Sequence, residues 1–338
     1  MRTAIVTTLR NAEATLSYFV AYHMAIGFDH LFLFFDDPND PLFEQFNHWP
    51  DVTAIQHNSL LKKLWLRTKS ATSNYAFAQR EVMARQIMNA EIAAMLAFDM
   101  DIDWLVHIDA DELFYCSGSS VKDHFNALSD QNINVVRYLN HEAIPETPHI
   151  TNFFTEVSLF KRNRGSFDAH QKDVFRNQIK LPTPYFHFYD NGKSAALVTR
   201  QTRPMGVHEF EPGASVIHAI NAPCILHFPC CGYTHFLAKY KTLGQFTNKW
   251  FDRGDDIIDI APVHILSRDT VSTDNDSAIR QFYDEVYIQR YAAYTAACLA
   301  EGIFFRLRLP QLTSLIHHQL AESHEWAGSV INRTSTYQ

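Results

Sequence analysis

The stretch "DWLVHIDADELF", Asp103 to Phe114, ends an apolar run in three carboxylates, Asp109, Asp111 and Glu112, within four positions. Carboxylates this close repel one another unless positive charge sits among them. Residues two apart in an ending strand point the same way, so Asp109 and Asp111, with Ala110 between them, can converge on one cation. Helix capping would account for one aspartate, but not for the spaced pair. Hard oxygen donors favour Mg²⁺ or Mn²⁺, which completes its shell with water and substrate phosphates and neutralises a departing diphosphate. The spacing therefore predicts a nucleotide-activated donor, with Asp111 in both a metal-binding and a catalytic role. Asp36-Asp37 closes another apolar run before the turn-forming "PNDP", a second acid cluster at a strand end. Thr8 and Arg10, beside the first apolar run, and Gln79 and Arg80 are further candidates for holding the donor.

The elements that must position these groups follow from periodicity. "TAIVTTL" (3–9), "HLFLFFDD" (30–37), "DVTAIQH" (51–57) and "DWLVHID" (103–109) read as strands. Helical spacing over 12–28 and from about 70 to 99 lies between them. Alternating strands and helices imply a mixed, mostly parallel α/β sheet flanked by helices, and ligands in such sheets bind outside the carboxyl ends of the strands. Both acid clusters fall at such ends. Strand-like runs at 133–139, 153–160, 194–199 and 223–228 follow, and then helical spacing over 233–252, 276–300 and 303–322. The polar connector 266–278 reads as a mobile loop. We expect a catalytic domain over 1–260, with a donor half at 1–115 and an acceptor half at 116–260, and a helical C-terminal extension over 261–338.

A net charge of −8 provides no broad basic surface, which argues against nucleic acid as a partner. The opening residues lack signal-peptide features, and no stretch approaches the roughly 20 apolar residues that span a bilayer. Five cysteines without regular spacing suit a reducing compartment, so the expectation is a cytoplasmic protein. The run "FFRLRLPQLTSLIHHQL" reads as an amphipathic helix whose Arg306 and Arg308 could bring the chain to the periphery of the inner membrane.

"DWLVHIDADELF" resembles the Asp-x-Asp segment of GT-A glycosyltransferases in the family 2 and family 92-like group. "TTLRNAEATLSYFVAYHMAIGFDHLFLFFDD", "QREVMARQ" (79–86), "GKSAALVTRQTRPMGVHEF" (192–210) and "ILHFPCCGYTHFLAKY" (225–240) are similar to other blocks of that group, in the same order. The resemblance covers roughly residues 1–250 and implies a GT-A fold. It also implies Asp36 near the nucleoside, Asp109 and Asp111 on Mn²⁺ or Mg²⁺, and Lys193 and Lys239 as phosphate contacts. A C-terminal histidine often completes the metal shell in such enzymes. His227, with Lys239 on the next helix, and His208, in "GVHEF", compete for that role, and an imidazole ligand would favour Mn²⁺.

The expected activity is metal-dependent transfer of a sugar from a nucleotide donor, UDP-linked by family analogy, to a glycan or glycolipid, as in polysaccharide biosynthesis. Inversion is the expected outcome, and its base would be a carboxylate among Glu142, Glu156, Asp168 and Glu209. The alternative is an inactive scaffold that binds nucleotide or glycan. Lys193 invites a phosphate-loop reading, but that motif needs glycine where the sequence has His187. His227, Cys230, Cys231 and His235 are spaced too tightly for a closed zinc site.

Overall fold

A computed structural model describes residues 1–177, 189–211, 215–217, 223–244, 246–251 and 258–309. Its strands are β1 (Thr3–Leu9), β2 (His30–Phe35), β3 (Val52–Gln56), β4 (Trp104–His107), β5 (Glu112–Tyr115), β6 (Val135–Tyr138), β7 (Asn140–Ala143), β8 (Leu159–Lys161), β9 (Lys193–Leu197), β10 (Ser215–Ile217), β11 (Cys224–His227), β12 (Lys249–Trp250), β13 (Ile258–Asp259) and β14 (Phe304–Arg306). Seven form a sheet in the order β10-β6-β9-β4-β1-β2-β3. Only β9 runs against the rest, pairing antiparallel with β4 and β6. The fold is thus mixed α/β with a mostly parallel sheet, as the alternation of elements implies. β1 and β2 are buried at every position, as expected where helices cover both faces.

A second sheet has the order β14-β8-β7-β11-β5. The chain crosses between the sheets twice over very short spans: four residues, Ile108 to Asp111, join β4 to β5, and Leu139 alone joins β6 to β7. The Asp-Ala-Asp segment therefore lies on the seam between the two sheets. The strand after it is braced from behind by Tyr22 and His23. The Tyr22 hydroxyl donates to the Phe114 carbonyl (3.2 Å), and the Phe114 amide donates to His23 Nε2 (3.1 Å). Burial holds that imidazole neutral, with its pKa pushed down to about 3, so it can accept the bond.

Several boundaries differ from those expected. The helix expected over 70–99 is broken: a four-residue helix (Ala71–Asn74) and a 3₁₀ turn (Tyr75–Phe77) precede extended Glu81 and the long helix Val82–Asp99. Residues 153–156 are helical rather than extended, because the Asn152 side chain caps the Phe154 amide while Glu156 takes the amides of Thr151 and Asn152. The helix expected over 233–252 stops at Leu243, where Gly244 takes φ 60°.

The connector 266–278 is not a loop: the helix Pro262–Val271 runs into it, and Asn275 caps the helix Asp276–Val286 that follows. The spacing over 276–300 belongs to two helices, the second Ala292–Ala300. Arg306 lies on an edge strand and is ion-paired to Glu146 (2.8 Å), so the amphipathic helix expected from 303 does not begin there. Residues 310–322 of that expectation lie outside the described residues. The helices at 262–300 share one apolar cluster with Ile144, Leu159, Tyr233 and Phe236, and β14 extends the second sheet. Among the described residues, no helix is long and apolar enough to cross a membrane.

Gly192 opens β9 at φ 67°, and a Cβ there would stand 2.2 Å from the Tyr138 carbonyl oxygen. That approach seats Lys193 against the seam. Gly192→Ala is expected to lower stability by roughly 2–4 kcal/mol, since strain and collision add. A chemical denaturation midpoint within error of wild type would contradict this.

Candidate functional site

Five separated segments meet at the carboxyl ends of β1, β2 and β4. Asp36, just past β2, is buried, and its carboxylate accepts two bonds from Arg85 on the helix Val82–Asp99: Nε at 2.5 Å and Nη2 at 2.7 Å. This fork-on-carboxylate geometry gives a buried acid a matched, two-point partner. Arg10 is more exposed and spans Asp36 (3.9 Å) and Asp37 (3.8 Å), so its guanidinium faces outward from a negative wall. Thr8 accepts a bond from Asn89 (2.9 Å), one turn beyond Arg85.

The next residue on that helix, Gln86, donates to Asp109 Oδ1 (2.7 Å), while the buried ammonium of Lys193 donates to Oδ2 (2.7 Å). Glu112 lies 3.7 Å from the same ammonium and accepts the Asp109 amide (2.8 Å). One buried cation thus serves a buried carboxyl, Glu112, and a half-buried one, Asp109. Asp109, in direct contact, is held well below the usual carboxylate range. Burial pushes Glu112 up to about 7, and the charge on Asp109 adds to the push. Burial opposes the charge on Lys193, but Asp109 and Glu112 hold its pKa above the usual value.

Asp111 faces the other way. Its carboxylate lies 3.5 Å from Lys239 and 3.9 Å from His227 Nε2. The second ring nitrogen of His227 is 3.3 Å from Glu142, which is itself buried and ion-paired to the buried Lys161 (2.7 Å). Although burial opposes it, Glu142 and then Asp111 and Glu112 raise the His227 pKa.

Among the described residues, no group of three or more His, Cys, Asp or Glu side chains is disposed to hold a metal ion. The chemistry of the pair nonetheless fits a divalent ion. A carboxylate and an imidazole nitrogen converge, and a buried carboxylate orients the imidazole from its other side, which is the usual support for a metal-binding histidine. The missing positions suit phosphate and water.

Gln79 and Arg80 are exposed, with Arg80 over the Phe77 ring, and it is Arg85 and Gln86, the second Arg-Gln pair in "QREVMARQ", that reach the two acid clusters. Apolar periodicity does not single these two out. The available signal was a pair of polar residues one turn apart, Arg85 and Asn89, among apolar helix positions. His208 bonds the Gly192 carbonyl (2.8 Å) and is kept neutral by burial and Lys193, its pKa near 4.

Of the four carboxylates named as bases, Glu142 is buried against Lys161, Glu156 caps a helix, and Asp168 accepts the Gln171 amide (2.8 Å) at the start of the helix Ala169–Asn177. Glu209 pairs with Arg137 (2.6 Å) at a partly exposed position. Cys230 and Cys231 are buried, whereas His235 is half-buried and turned to the Thr151 carbonyl, 3.2 Å away, so the four residues of the zinc reading do not assemble.

The Lys193 sharing yields a pH test. A carboxyl raised from 4.5 to about 7 on folding favours the folded state while protonated, and that benefit is lost as pH rises through about 7. Glu112→Gln should therefore gain on wild type between pH 5 and 8, by on the order of 1–3 kcal/mol. Parallel stability–pH curves for the two proteins would refute the assignment.

No family model matches the chain. Two Arabidopsis thaliana proteins are similar in sequence. Glycosyltransferase-like At2g41451 is 27% identical over 324 residues, covering 90% of this chain and 70% of its own. Glycosyltransferase-like At3g57200 is 26% identical over 349 residues, covering 96% of this chain and 64% of its own, so the chain spans less than two thirds of that relative. Among solved structures, core-mannan synthase A (CmsA/Ktr4) from Aspergillus fumigatus, in a Mn/GDP form, aligns over 44% of each chain with 13% identity and a TM-score of 0.25. The mannosyltransferase Ktr4p from S. cerevisiae, in complex with GDP, aligns over 46% of this chain and 43% of its own, with 11% identity and a TM-score of 0.27. At the level of sequence, then, this chain is similar along nearly its whole length to proteins described as glycosyltransferase-like.

Proposed function

We propose that the chain is a glycosyltransferase that moves a sugar from a nucleoside-diphosphate donor onto a glycan or glycolipid. One observation carries the reading: residues from five separated segments form a connected row along the seam, from Asp36–Arg85 through Gln86–Asp109–Lys193 to Asp111 with Lys239 and His227. A row that alternates acids with fixed cations suits a ligand whose nucleoside end and diphosphate end need different partners. The similarity to glycosyltransferase-like proteins supports the same reading.

In this proposal Arg10 meets the nucleotide, and Lys239 contributes positive charge beside the diphosphate. Asp111 and His227 would hold Mn²⁺ or Mg²⁺, with Glu142 fixing the imidazole. A bound divalent ion supplies charge that stabilises the leaving diphosphate. Asp109 acts through its backbone position and its bonds to Gln86 and Lys193, which set the shape of the turn. Lys193 is spent on carboxylates, so its role is to hold the turn rather than to grip phosphate. Inversion requires a base for the acceptor hydroxyl. Of the four carboxylates considered, Glu209 is neither buried nor used in a cap and suits that task best.

The test measures binding of UDP and GDP by calorimetry with and without Mn²⁺, alongside donor hydrolysis and transfer. Asp111→Asn should remove metal-enhanced nucleotide binding and cut transfer at least about 100-fold with little change in melting temperature, because its partners stand 3.5 and 3.9 Å away. Glu209→Gln should lower kcat about 100-fold or more and leave nucleotide affinity intact. Undiminished transfer by Asp111→Asn, or in excess EDTA, rules out the metal role; unchanged kcat in Glu209→Gln rules out that base.

A further inference from the structure

Residues 58–80 contain no acid and five bases, Lys62, Lys63, Arg67, Lys69 and Arg80, in a chain whose net charge is −8. All five are exposed, and none forms an ion pair among the described residues. On the same segment lie three exposed large apolar side chains: Leu60 at 63% and Leu66 at 59%, the two most open to solvent among the described residues, and Tyr75 at 39%. Single exposed apolar residues are ordinary, but three on one short segment with five cations outside any ion pair are not.

The segment is held firmly from beneath. Leu61, Trp65 and Thr68, at positions i, i+4 and i+7, face the core. Trp65 donates its indole N–H to Asn89 (2.7 Å), and Glu91 accepts the amides of Lys69 (2.7 Å) and Ser70 (2.8 Å). With that stripe anchored, Leu60, Lys62, Lys63, Leu66, Arg67 and Lys69 are all turned outward. The segment follows β3, the strand whose end adjoins Asp36 through His57, so it borders the crevice.

We infer that this face seats on the surface of an anionic lipid bilayer, Leu60 and Leu66 entering the headgroup boundary while the cations meet acidic lipid. Charge complementarity selects a negative partner, and the exposed leucines select a bilayer over a soluble polyanion, which has no use for them. The inference is independent of the proposed chemistry, though it would bring a lipid-borne acceptor beside the crevice. It also moves membrane contact away from Arg306 and Arg308, the first of which is already paired with Glu146.

The full chain is floated with vesicles of phosphatidylcholine alone or with phosphatidylserine added, over a range of salt, and is assayed on heparin-agarose. Wild type should float only with the acidic vesicles, and less as salt rises. Lys62→Glu/Lys63→Glu and Leu60→Ser/Leu66→Ser should each reduce the bound fraction at least about tenfold. Arg306→Ala/Arg308→Ala should float like wild type, and nucleotide binding should be unchanged in all three variants. No flotation with acidic vesicles overturns the inference. So does flotation of Leu60→Ser/Leu66→Ser equal to wild type, or heparin retention without flotation, either of which would mark plain polyanion attraction.

Discussion

The buried ammonium of Lys193 is the constraint on which the site rests. Asp109 and Glu112 flank the turn that follows a buried strand, Glu112 fully enclosed and Asp109 half-buried, and a single cation 2.7 Å from Asp109 and 3.7 Å from Glu112 makes the arrangement tenable. The ammonium cannot fully serve both, so the two carboxyls divide into an ionised member and one readily protonated near neutrality. Gly192 is part of the same device, because only a residue without a side chain lets the backbone pass close enough to Tyr138 for Lys193 to reach the turn. The close packing at the seam and the electrostatics of the acid cluster are therefore one problem with one solution.

Charge is handled differently along the rest of the row. Asp36 is matched to a guanidinium in a two-point fit that leaves it little freedom. Asp111, by contrast, has partners at longer range and keeps its oxygens available. The gradient from satisfied to unsatisfied carboxylate runs along a crevice edge, and the least satisfied member is the one proposed to work. Buried polar groups of this kind hold a geometry at some cost in stability, and their value lies in what they position.

Much of this was legible in the sequence, and the parts that were not share a cause. The strands carrying Asp36 and Asp109 announce themselves because long apolar runs ending in acids are hard to read any other way. Lys193, His227 and Lys239 could be named from the ordered blocks. Arg85 and Gln86 could not, because periodicity marks which helix positions are apolar and says little about which polar ones turn inward. The same holds for Glu112, which looks like a third acid in a row yet is buried and bonded to the Asp109 amide, beside Lys193. Tyr22 and His23 matched a family block without revealing their work, which is to brace β5. The longer elements were misjudged at their ends, where single residues such as Asn152, Gly244 and Asn275 decide whether a helix starts or stops.

The two sheets are joined by four residues at one crossing and by Leu139 alone at the other. Joints that short act as welds. The floor between the sheets cannot widen readily, so on the proposed chemistry differences in acceptor girth would be absorbed by the segments that rim the crevice. Divergence in acceptor choice could then proceed by remodelling the rim, leaving the acid-and-ammonium floor untouched.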